Sequence, residues 1–488
     1  MLFNSLRFLI FFPIVTLLYF IIPKRVRYLW LLAASYYFYM CWNPKYALLL
    51  LFSTAVTYAS GLLLAGAKTV RTKKGWVAAS FAVNLAILFF FKYFDFAVGN
   101  LNALLGVLGA QPVTPHFDVV LPVGISFYIF QALSYTVDVY RGDIAPVRNF
   151  FRYALFVSFF PQLVAGPIER SDNLLPQLEN PQPFSYARMR SGLVRMGWGL
   201  FQKMVVADRM AILADRVFGN VAEYAGFEIV LAVLFFSVQI YCDFAGYSNV
   251  AIGAAEVLGI RLMDNFERPY FAKSIKDFWR RWHISLSTWF RDYLYIPLGG
   301  NRKGRVRKYL NLMITFLLSG LWHGASWHYV VWGGLHGAYQ VVGDVTEPVR
   351  RRLRRRLHVE DKRWYGVFRM LITFLLVCLG WIFFRAKTVS DAFLALRQMF
   401  SVFNPGIVKN GLLYTLGLDK YDFWAAIAAA AVLFIVDALL QTRDLRASLE
   451  KKPFWLRWPV YLLLIVVLLV FGVYGPQYDA SAFIYFQF

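Results

Sequence analysis

Three of the six histidines in this 488-residue chain lie in one apolar segment that carries almost no charge. His323, in Leu321-Trp322-His323-Gly324-Ala325-Ser326-Trp327, is accompanied by His328 and His336. An ionisable side chain at membrane depth is costly and by default marks a functional site. Because imidazole titrates near neutral pH, it can accept or donate a proton. The cluster therefore predicts proton-transfer chemistry. On one continuous helix, His328 and His336 would point away from His323, so we expect them to be hydrogen-bonded core residues.

A fourth histidine, His283, lies in a segment that mixes aromatic and charged residues, Asp277–Tyr293. Trp279, Ser287 and Arg291 stand at helical spacing from it, so one continuous helix would align all four on one face. That face is expected to line a polar cavity and to contact an anionic ligand. The alternative is an interfacial amphipathic helix with snorkelling arginines. His283 favours the cavity, because Lys or Arg would suffice for anchoring.

A polar island, Asp243–Asn249, interrupts the apolar segment Phe227–Ile260. Asp243 requires a partner there, and arginines nearby in sequence are the expected ones. Two interpretations remain open: a salt bridge that fixes helix register, and the lining of a substrate channel that includes Asn249. Trp322 is expected to help wall the site and to exclude water. The three cysteines lie in separate apolar segments without metal-ligand spacing, so no metal site is predicted.

The composition, 59% hydrophobic and 16% charged, is that of a membrane protein. Several apolar runs approach the roughly 20 residues that span a bilayer as a helix. The clear candidates are Leu6–Ile22, Tyr46–Ala65, Trp76–Val98, Leu121–Tyr140, Phe227–Tyr241, Trp364–Phe384, Phe423–Leu440 and Trp455–Gly475, and the interrupted ones are Tyr28–Trp42, Phe151–Gly166 and Tyr309–Gln340. Ten or more spans without a long polar stretch predict an all-α, polytopic single domain over residues 1–488. The first span is expected to be an anchor rather than a cleaved signal peptide.

The net charge of +23 is distributed in short basic blocks between the apolar runs. This asymmetry follows the positive-inside rule and argues against nucleic acid as the partner. The blocks predicted to be cytoplasmic include Lys24–Arg27, Lys68–Lys74, Arg141–Arg152, Arg302–Lys308, Arg350–Arg356 and Arg443–Lys452. With connections such as Gly99–Asp118 outside, both termini are predicted to be extracytoplasmic.

One segment, Tyr309–Gln340, breaks the alternation, because blocks predicted to be inside flank it on both sides. It contains five glycines, and the simplest solution is a pair of broken or re-entrant helices that enter the membrane and return. Non-helical backbone at membrane depth is tolerated only inside protein or along a cavity. His323 is therefore expected to face an internal cavity at the turn.

Taken in order, the motifs resemble the membrane-bound O-acyltransferases, and in particular their bacterial alginate O-acetyltransferase branch. The motifs that carry the resemblance are Leu121–Phe127, Tyr135–Gly142, Pro161–Arg170, Asp243–Asn249, Asp264–Phe266, Asp277–Tyr293, Leu321–Trp327 and the ending Phe483–Phe488. They cover most of the chain from Leu121 onward, and their shared order makes chance similarity implausible.

The resemblance implies a helical bundle around an intramembrane funnel or tunnel in the bacterial plasma membrane. The family's principal catalytic histidine maps onto His323, and its second active-site position maps onto His283. The implied reaction passes an acetyl group from cytoplasmic acetyl-CoA, a substrate rather than a bound cofactor, across the membrane. An extracytoplasmic partner of the SGNH-hydrolase type would then acetylate an exopolysaccharide such as alginate.

Three other functions fit part of the pattern. A related acyltransferase would transfer D-alanine from a carrier protein to teichoic acid. A secondary transporter could also have broken helices and buried histidines, but the chain has no obvious internal repeat. A structural assembly subunit is disfavoured because ionisable residues are concentrated in apolar segments.

Overall fold

The computed structural model describes residues 1–115, 120–164, 166–402, 404–408 and 410–474, and its regular secondary structure over these ranges is helical. The chain divides into two compact units, Met1–Leu193 with Ala251–Met263, and Val194–Val250 with the residues from Asp264 onward. The terminal motif Phe483–Phe488 and the last residues of the predicted connection Gly99–Asp118 lie outside the described residues. The single domain over residues 1–488 stays a prediction.

The first unit contains nine complete helices within its described residues. They are α1 (Leu6–Ile21), α2 (Arg27–Met40), α3 (Pro44–Gly66), α4 (Val70–Leu88), α5 (Phe94–Val107), α6 (Ile125–Arg141), α7 (Phe150–Ser158), α8 (Phe160–Leu163) and α9 (Ser171–Glu179). A π-helical turn, Phe89–Tyr93, joins α4 to α5. Two further helices continue from one unit into the other, α10 (Tyr186–Leu200) and α12 (Phe227–Val257).

The remaining helices belong to the second unit. They are α11 (Asp208–Gly219), α13 (Ile275–Arg281), α14 (Ile284–Phe290), α15 (Gly304–His323), α16 (Trp327–Arg356), α17 (Arg363–Arg385), α18 (Val389–Ser401), α19 (Lys420–Leu440), α20 (Leu445–Glu450) and α21 (Phe454–Phe471). Two π-helical segments, Phe201–Ala207 and Arg291–Tyr295, extend α10 and α14.

Six helices among the described residues are long and apolar enough to cross a membrane, which is fewer than the ten or more spans predicted. They are Pro44–Gly66, Val70–Val107, Phe227–Val257, Arg363–Arg385, Lys420–Leu440 and Phe454–Phe471. The predicted span Phe151–Gly166 is instead broken near Phe159, between α7 and α8. The predicted span at Leu121–Tyr140 is the 17-residue helix α6, and α1 is apolar but has only 16 residues.

Polar side chains hydrogen-bond between helices inside the first unit. The Tyr153 hydroxyl donates to Thr57 Oγ1 at 2.7 Å, joining α7 to α3. The Ser53 hydroxyl donates to Asn84 Oδ1 at 2.5 Å, joining α3 to α4. Such bonds hold membrane helices together where burial of apolar surface gives little driving force.

In the second unit, α15 and α16 form an antiparallel hairpin whose backbones approach closely. A Cβ atom at Gly320 would lie 2.2 Å from the Tyr329 carbonyl oxygen, and one at Gly333 would lie 2.2 Å from the Phe316 carbonyl oxygen. At the open end of the hairpin, the Tyr309 hydroxyl donates to Asp344 Oδ2 at 3.1 Å. The first residue of the segment Tyr309–Gln340 therefore lies close to the residues that directly follow its end, and entry of the segment into the membrane from one side stays a prediction.

The hairpin generates a stability prediction. The Gly333→Ala variant should unfold more easily, by about 2 kcal/mol, because its methyl group would overlap backbone that cannot move aside. Gly334→Ala is the matched control, because a Cβ there would meet only the flexible Leu317 side chain, at 3.3 Å. Thermal unfolding in detergent measures the difference, and equal unfolding temperatures for the two variants would contradict the close packing.

Candidate active site

His323 is the last residue of α15, at the turn of the hairpin. Gly324 continues in an extended conformation, and α16 begins at Trp327 after the extended N-cap Ser326. The predicted break therefore lies directly beside His323. Only 3% of the His323 surface is exposed, so its imidazole lies inside the second unit.

Aromatic rings surround the His323 imidazole. The ring centroids of Trp322 and Trp332 both lie 5.1 Å from it, and that of Phe384, in the last turn of α17, lies 5.5 Å away. The predicted role of Trp322 as a wall of the site is consistent with this position.

His283 lies in the two-residue junction between α13 and α14, where its backbone is left-handed, with φ of 43° and ψ of 56°. Left-handed conformations are uncommon for residues other than glycine and mark strained, often functional positions. The Ile284 amide donates to the Asn265 carbonyl oxygen at 2.9 Å and fixes this turn. The imidazole is fully buried and packs 4.6 Å from the Phe244 ring centroid.

The Asn265 side chain fixes the tautomer of His283. Asn265 Oδ1 accepts from the Ser285 backbone amide at 3.3 Å, and an amide N–H can only donate. The Asn265 amide nitrogen in turn donates to Ser248 Oγ at 3.1 Å, which is consistent with the same orientation. His283 Nδ1, 3.2 Å from Asn265 Oδ1, must therefore carry the proton of that hydrogen bond. In the neutral imidazole, Nε2 then carries the lone pair.

Electrostatics favour that neutral form. His283 lies outside the six candidate spans, and burial lowers the pKa of its imidazole because the charged form loses hydration. The rings of His283 and His323 have centroids 6.4 Å apart. The second unit thus brings together the two histidines that the sequence singled out.

The other two histidines of the segment have partners of their own. His328 Nδ1 donates to the Phe383 carbonyl oxygen at 3.0 Å. His336 Nδ1 accepts from the Trp279 indole N–H at 3.3 Å, and its ring centroid lies 5.1 Å from that of Trp332. Both are hydrogen-bonded core residues.

The predicted common face of Trp279, His283, Ser287 and Arg291 is wrong. The left-handed turn at His283 ends one helix and begins another, so the helical spacing does not continue through it. Trp279 packs against His336, whereas the Ser287 hydroxyl donates to the Trp282 carbonyl oxygen at 3.2 Å. Arg291 is largely exposed and pairs with the adjacent Asp292 at 2.7 Å.

The polar island in α12 is held by a lysine, not by the arginines expected from the sequence. Lys203 Nζ lies 2.5 Å from Asp243 Oδ1 and 2.8 Å from Asp208 Oδ1, and all three side chains are buried. Asn249 donates to Gln202 Oε1 at 2.8 Å and accepts from Arg195 Nε at 3.0 Å. Asp243 and Asn249 therefore fix α12 against the π-helical end of α10, which agrees with the salt-bridge interpretation.

Comparison with known proteins identifies the family. Residues 144–383, which include both His283 and His323, match the model of the membrane-bound O-acyltransferase family. A probable alginate O-acetylase of Pseudomonas putida is 38% identical over 100% of both chains. The probable alginate O-acetylase of Pseudomonas syringae is 42% identical over 82% of this chain and 75% of its own.

This chain belongs to the membrane-bound O-acyltransferase family. A further relative, a peptidoglycan O-acetyltransferase of Helicobacter pylori, is 36% identical over 82% of this chain and 80% of its own. The protein is therefore a multi-pass membrane O-acyltransferase, as the sequence motifs indicate.

The site contains groups suited to O-acyl transfer. The acceptor hydroxyl requires a base to remove its proton, and a buried neutral imidazole can serve. The second imidazole, with a lone pair on Nε2, can accept a hydrogen bond from a substrate N–H or O–H group. The surrounding rings of Trp322, Trp332 and Phe384 are apolar and limit the approach of water to the His323 imidazole.

Sequence reasoning missed Asn265 as a site residue. It appeared only within the family motif Asp264–Phe266, and nothing in its spacing to His283, 18 residues later, indicates a contact. A polar residue that directly precedes an aromatic one between two apolar segments was the available signal. Lys203 was missed for a similar reason, because its partner Asp243 is 40 residues away.

Asn265 gives a prediction for the acyltransferase. The rate of acyl transfer should fall about 100-fold in the Asn265→Ala variant. Without the hydrogen bond to Asn265, the His283 imidazole is no longer held in the orientation in which it contacts the substrate. Asn265→Asp should keep part of the activity but move the acid limb of the pH profile upward, since a carboxylate stabilises the imidazolium and raises its pKa. The measurement is the rate of acyl transfer against pH, per amount of folded protein.

Ser248→Ala is the matched control, because it removes one hydrogen bond from Asn265 and leaves the His283 contact in place. A pH profile that Asn265→Asp leaves unchanged would contradict the contact between residue 265 and the His283 imidazole.

Proposed function

We propose that this O-acyltransferase takes an acetyl group from cytoplasmic acetyl-CoA and delivers it across the membrane for O-acetylation of an extracellular polysaccharide such as alginate. The observation that carries the proposal is the pair of buried histidines, with ring centroids 6.4 Å apart, inside an aromatic enclosure. The names of the relatives support the class of acceptor, because both alginate and peptidoglycan contain sugar hydroxyls.

His323 is the base in this proposal. Its imidazole removes the proton from the acceptor hydroxyl, whose oxygen attacks the thioester carbonyl carbon. The tetrahedral intermediate collapses with cleavage of the carbon–sulfur bond. The protonated His323 then gives its proton to the departing sulfur, which leaves as a thiol. His283 orients the donor through the lone pair on Nε2, and backbone amides at the break after His323 stabilise the oxyanion.

The position of the pair along the helices supports transfer across the membrane. α15 has 20 residues and is about 30 Å long, so its two ends lie far apart along the helix axis. Its first residues belong to the block Arg302–Lys308, which the charge pattern predicts to be cytoplasmic, and His323 stands at its other end. Phe384, beside His323, directly precedes Arg385. Arg385 begins the connection Arg385–Lys420, which lies between the basic blocks Arg350–Arg356 and Arg443–Lys452 and is predicted to be outside. His323 therefore lies toward the predicted acceptor side.

The acceptor-side partner in this proposal is an extracytoplasmic acetyltransferase of the SGNH-hydrolase type. An enzyme embedded in the bilayer presents its product at the membrane surface, whereas a polysaccharide chain extends beyond it. A partner whose own hydroxyl accepts the acetyl group at the membrane surface, and which then passes that group to a sugar hydroxyl, fits this geometry.

The histidines generate the main functional prediction. His323→Ala should abolish acetylation, a loss of at least about 100-fold, because no other group takes the proton. His283→Ala should reduce the rate severely but less completely. His336→Ala is the control: its partner is Trp279, so it should act mainly through stability. The measurement is acetyl transfer from acetyl-CoA per folded protein, with folding checked by thermal unfolding in detergent.

Near-wild-type activity in His323→Ala would remove its assignment as the base. A selective loss of activity in a well-folded His336→Ala variant would mean that the wrong histidine has been paired with His323. Comparing acetyl-CoA with a D-alanyl carrier protein as donor separates the proposal from teichoic acid modification, and flux without acyl transfer would indicate a transporter.

Topology is a separate prediction. Single cysteines introduced into Lys68–Lys74 and Arg350–Arg356 should be labelled only from the cytoplasmic side, and cysteines at both termini only from outside. The background is a functional variant in which the native Cys41, Cys242 and Cys378 are replaced. Labelling of Arg302–Lys308 and Arg350–Arg356 from opposite sides would contradict the hairpin that enters and returns.

A further inference from the structure

A polar cavity of about 310 Å³ opens in the second unit near the end of α13. Its lining contains three guanidinium groups and two carboxylates, and the residues are Glu267, Arg268, Asp277, Arg280, Arg281 and Gln441. Arginine is the side chain best suited to phosphate, because its planar fork presents several N–H donors in fixed directions.

The carboxylates of the cavity neutralise two of the three arginines. Arg268 pairs with Glu267 at 2.6 Å, and Arg281 uses Nε to pair with Asp277 at 3.0 Å. Arg280 is exposed and has no carboxylate within ion-pair distance among the residues that the structure describes. The cavity therefore carries a net positive charge at Arg280. The guanidinium groups of Arg268 and Arg281 supply further N–H donors beside it.

A short backbone pairing connects this cavity to the catalytic histidines. The Glu267 amide donates to the Arg281 carbonyl oxygen at 2.8 Å, and the Ile284 amide donates to the Asn265 carbonyl oxygen at 2.9 Å. Glu267 and Arg281, which form the first contact, line the cavity. Asn265, which forms the second contact, also holds the His283 imidazole. Trp282, between Arg281 and His283, has an extended backbone. Since extended backbone advances about 3.3 Å per residue, the Cα atoms of Arg281 and His283 are roughly 7 Å apart.

Backbone strain is concentrated at the two sides of this pairing. Among the described residues other than glycine, a positive φ occurs at Arg268 (50°), His283 (43°) and His358 (49°). Arg268 and His283 lie on the two paired segments. Arg268 lines the cavity, and His283 belongs to the histidine pair. Strained conformations of this kind persist where the surrounding structure fixes them, commonly at binding sites.

The cavity opens on the side from which the donor is expected. Gln441 follows the last residue of α19, and the Arg268 guanidinium donates to the Leu440 carbonyl oxygen. The next residues are the block Arg443–Lys452, which the charge pattern predicts to be cytoplasmic. From the predicted cytoplasmic side inward, the block Arg443–Lys452 thus comes first, then the cavity, then His283 and finally His323.

We propose that this cavity is a phosphate subsite for the acyl donor, in which Arg280, with Arg268 and Arg281, binds the phosphate groups of coenzyme A. The thioester arm of the donor then extends from the cavity toward His283 and His323. This inference rests on the proposed function, because it assumes a phosphorylated thioester donor. The phosphate end of the donor is then bound in the cavity, and its thioester end reacts at the two histidines.

Binding of two probes to the full-length protein in detergent tests the subsite. Coenzyme A carries the phosphates, and pantetheine carries the thiol arm without them. By titration calorimetry, Arg280→Gln should raise the Kd for coenzyme A about tenfold, the loss expected for one charge-assisted contact, and leave the Kd for pantetheine unchanged. Lys276→Gln is the matched control, because it removes one charge from the same helix at an exposed position outside the cavity.

An unchanged Kd for coenzyme A in Arg280→Gln, or an equal loss for both probes, would overturn the subsite. A lipid headgroup is the other source of phosphate. If phosphatidylglycerol in nanodiscs stabilises the wild type but not Arg280→Gln, while both bind coenzyme A equally, the anion is a lipid and the donor assignment fails. Failure of the proposed function gives a different result: coenzyme A binding that depends on Arg280, with no acetyl transfer from acetyl-CoA.

Discussion

The buried imidazole of His283 imposes the constraint on which the site depends. Where water has no access, every hydrogen bond that orients the ring must come from the protein. Asn265 supplies it, and the same amide is held by Ser285 from α14 and Ser248 from α12. Three separated segments of the second unit thus meet at one side chain. The packing that brings α12 and α14 together is therefore also what gives His283 its orientation and its tautomer.

Both histidines stand where a helix stops. Side chains in a helix interior project along directions fixed by the helix axis, and neighbouring turns cover the backbone. At a helix end the chain changes direction, so a side chain can point into the space between several elements. His323 uses the last position of α15, and His283 uses a left-handed turn before α14. The two imidazoles thereby come to within 6.4 Å of each other between ring centroids, although 40 residues of sequence separate them.

The sequence predicted the parts of this arrangement that depend on composition and local pattern. Apolar runs, glycines and basic blocks were sufficient for a helical membrane protein with a break beside His323, and the motifs identified His283. The face through Trp279 and Arg291 failed because hydrophobic and polar spacing does not reveal a single residue with positive φ. The lysine partner of Asp243 and the role of Asn265 were missed because both depend on contacts between distant segments. Tertiary packing decides such contacts.

The close crossing of α15 and α16 also limits which changes in chain length the acyltransferase can accept. A helix turns by about 100° per residue, so inserting or deleting one residue rotates everything beyond it by that angle. Between Gly320 and His323, such a rotation would move the imidazole off the site while the contact of Gly320 with α16 held the two helices in place. This short stretch should therefore keep a constant length among functional relatives, whereas connections far from the crossing can vary.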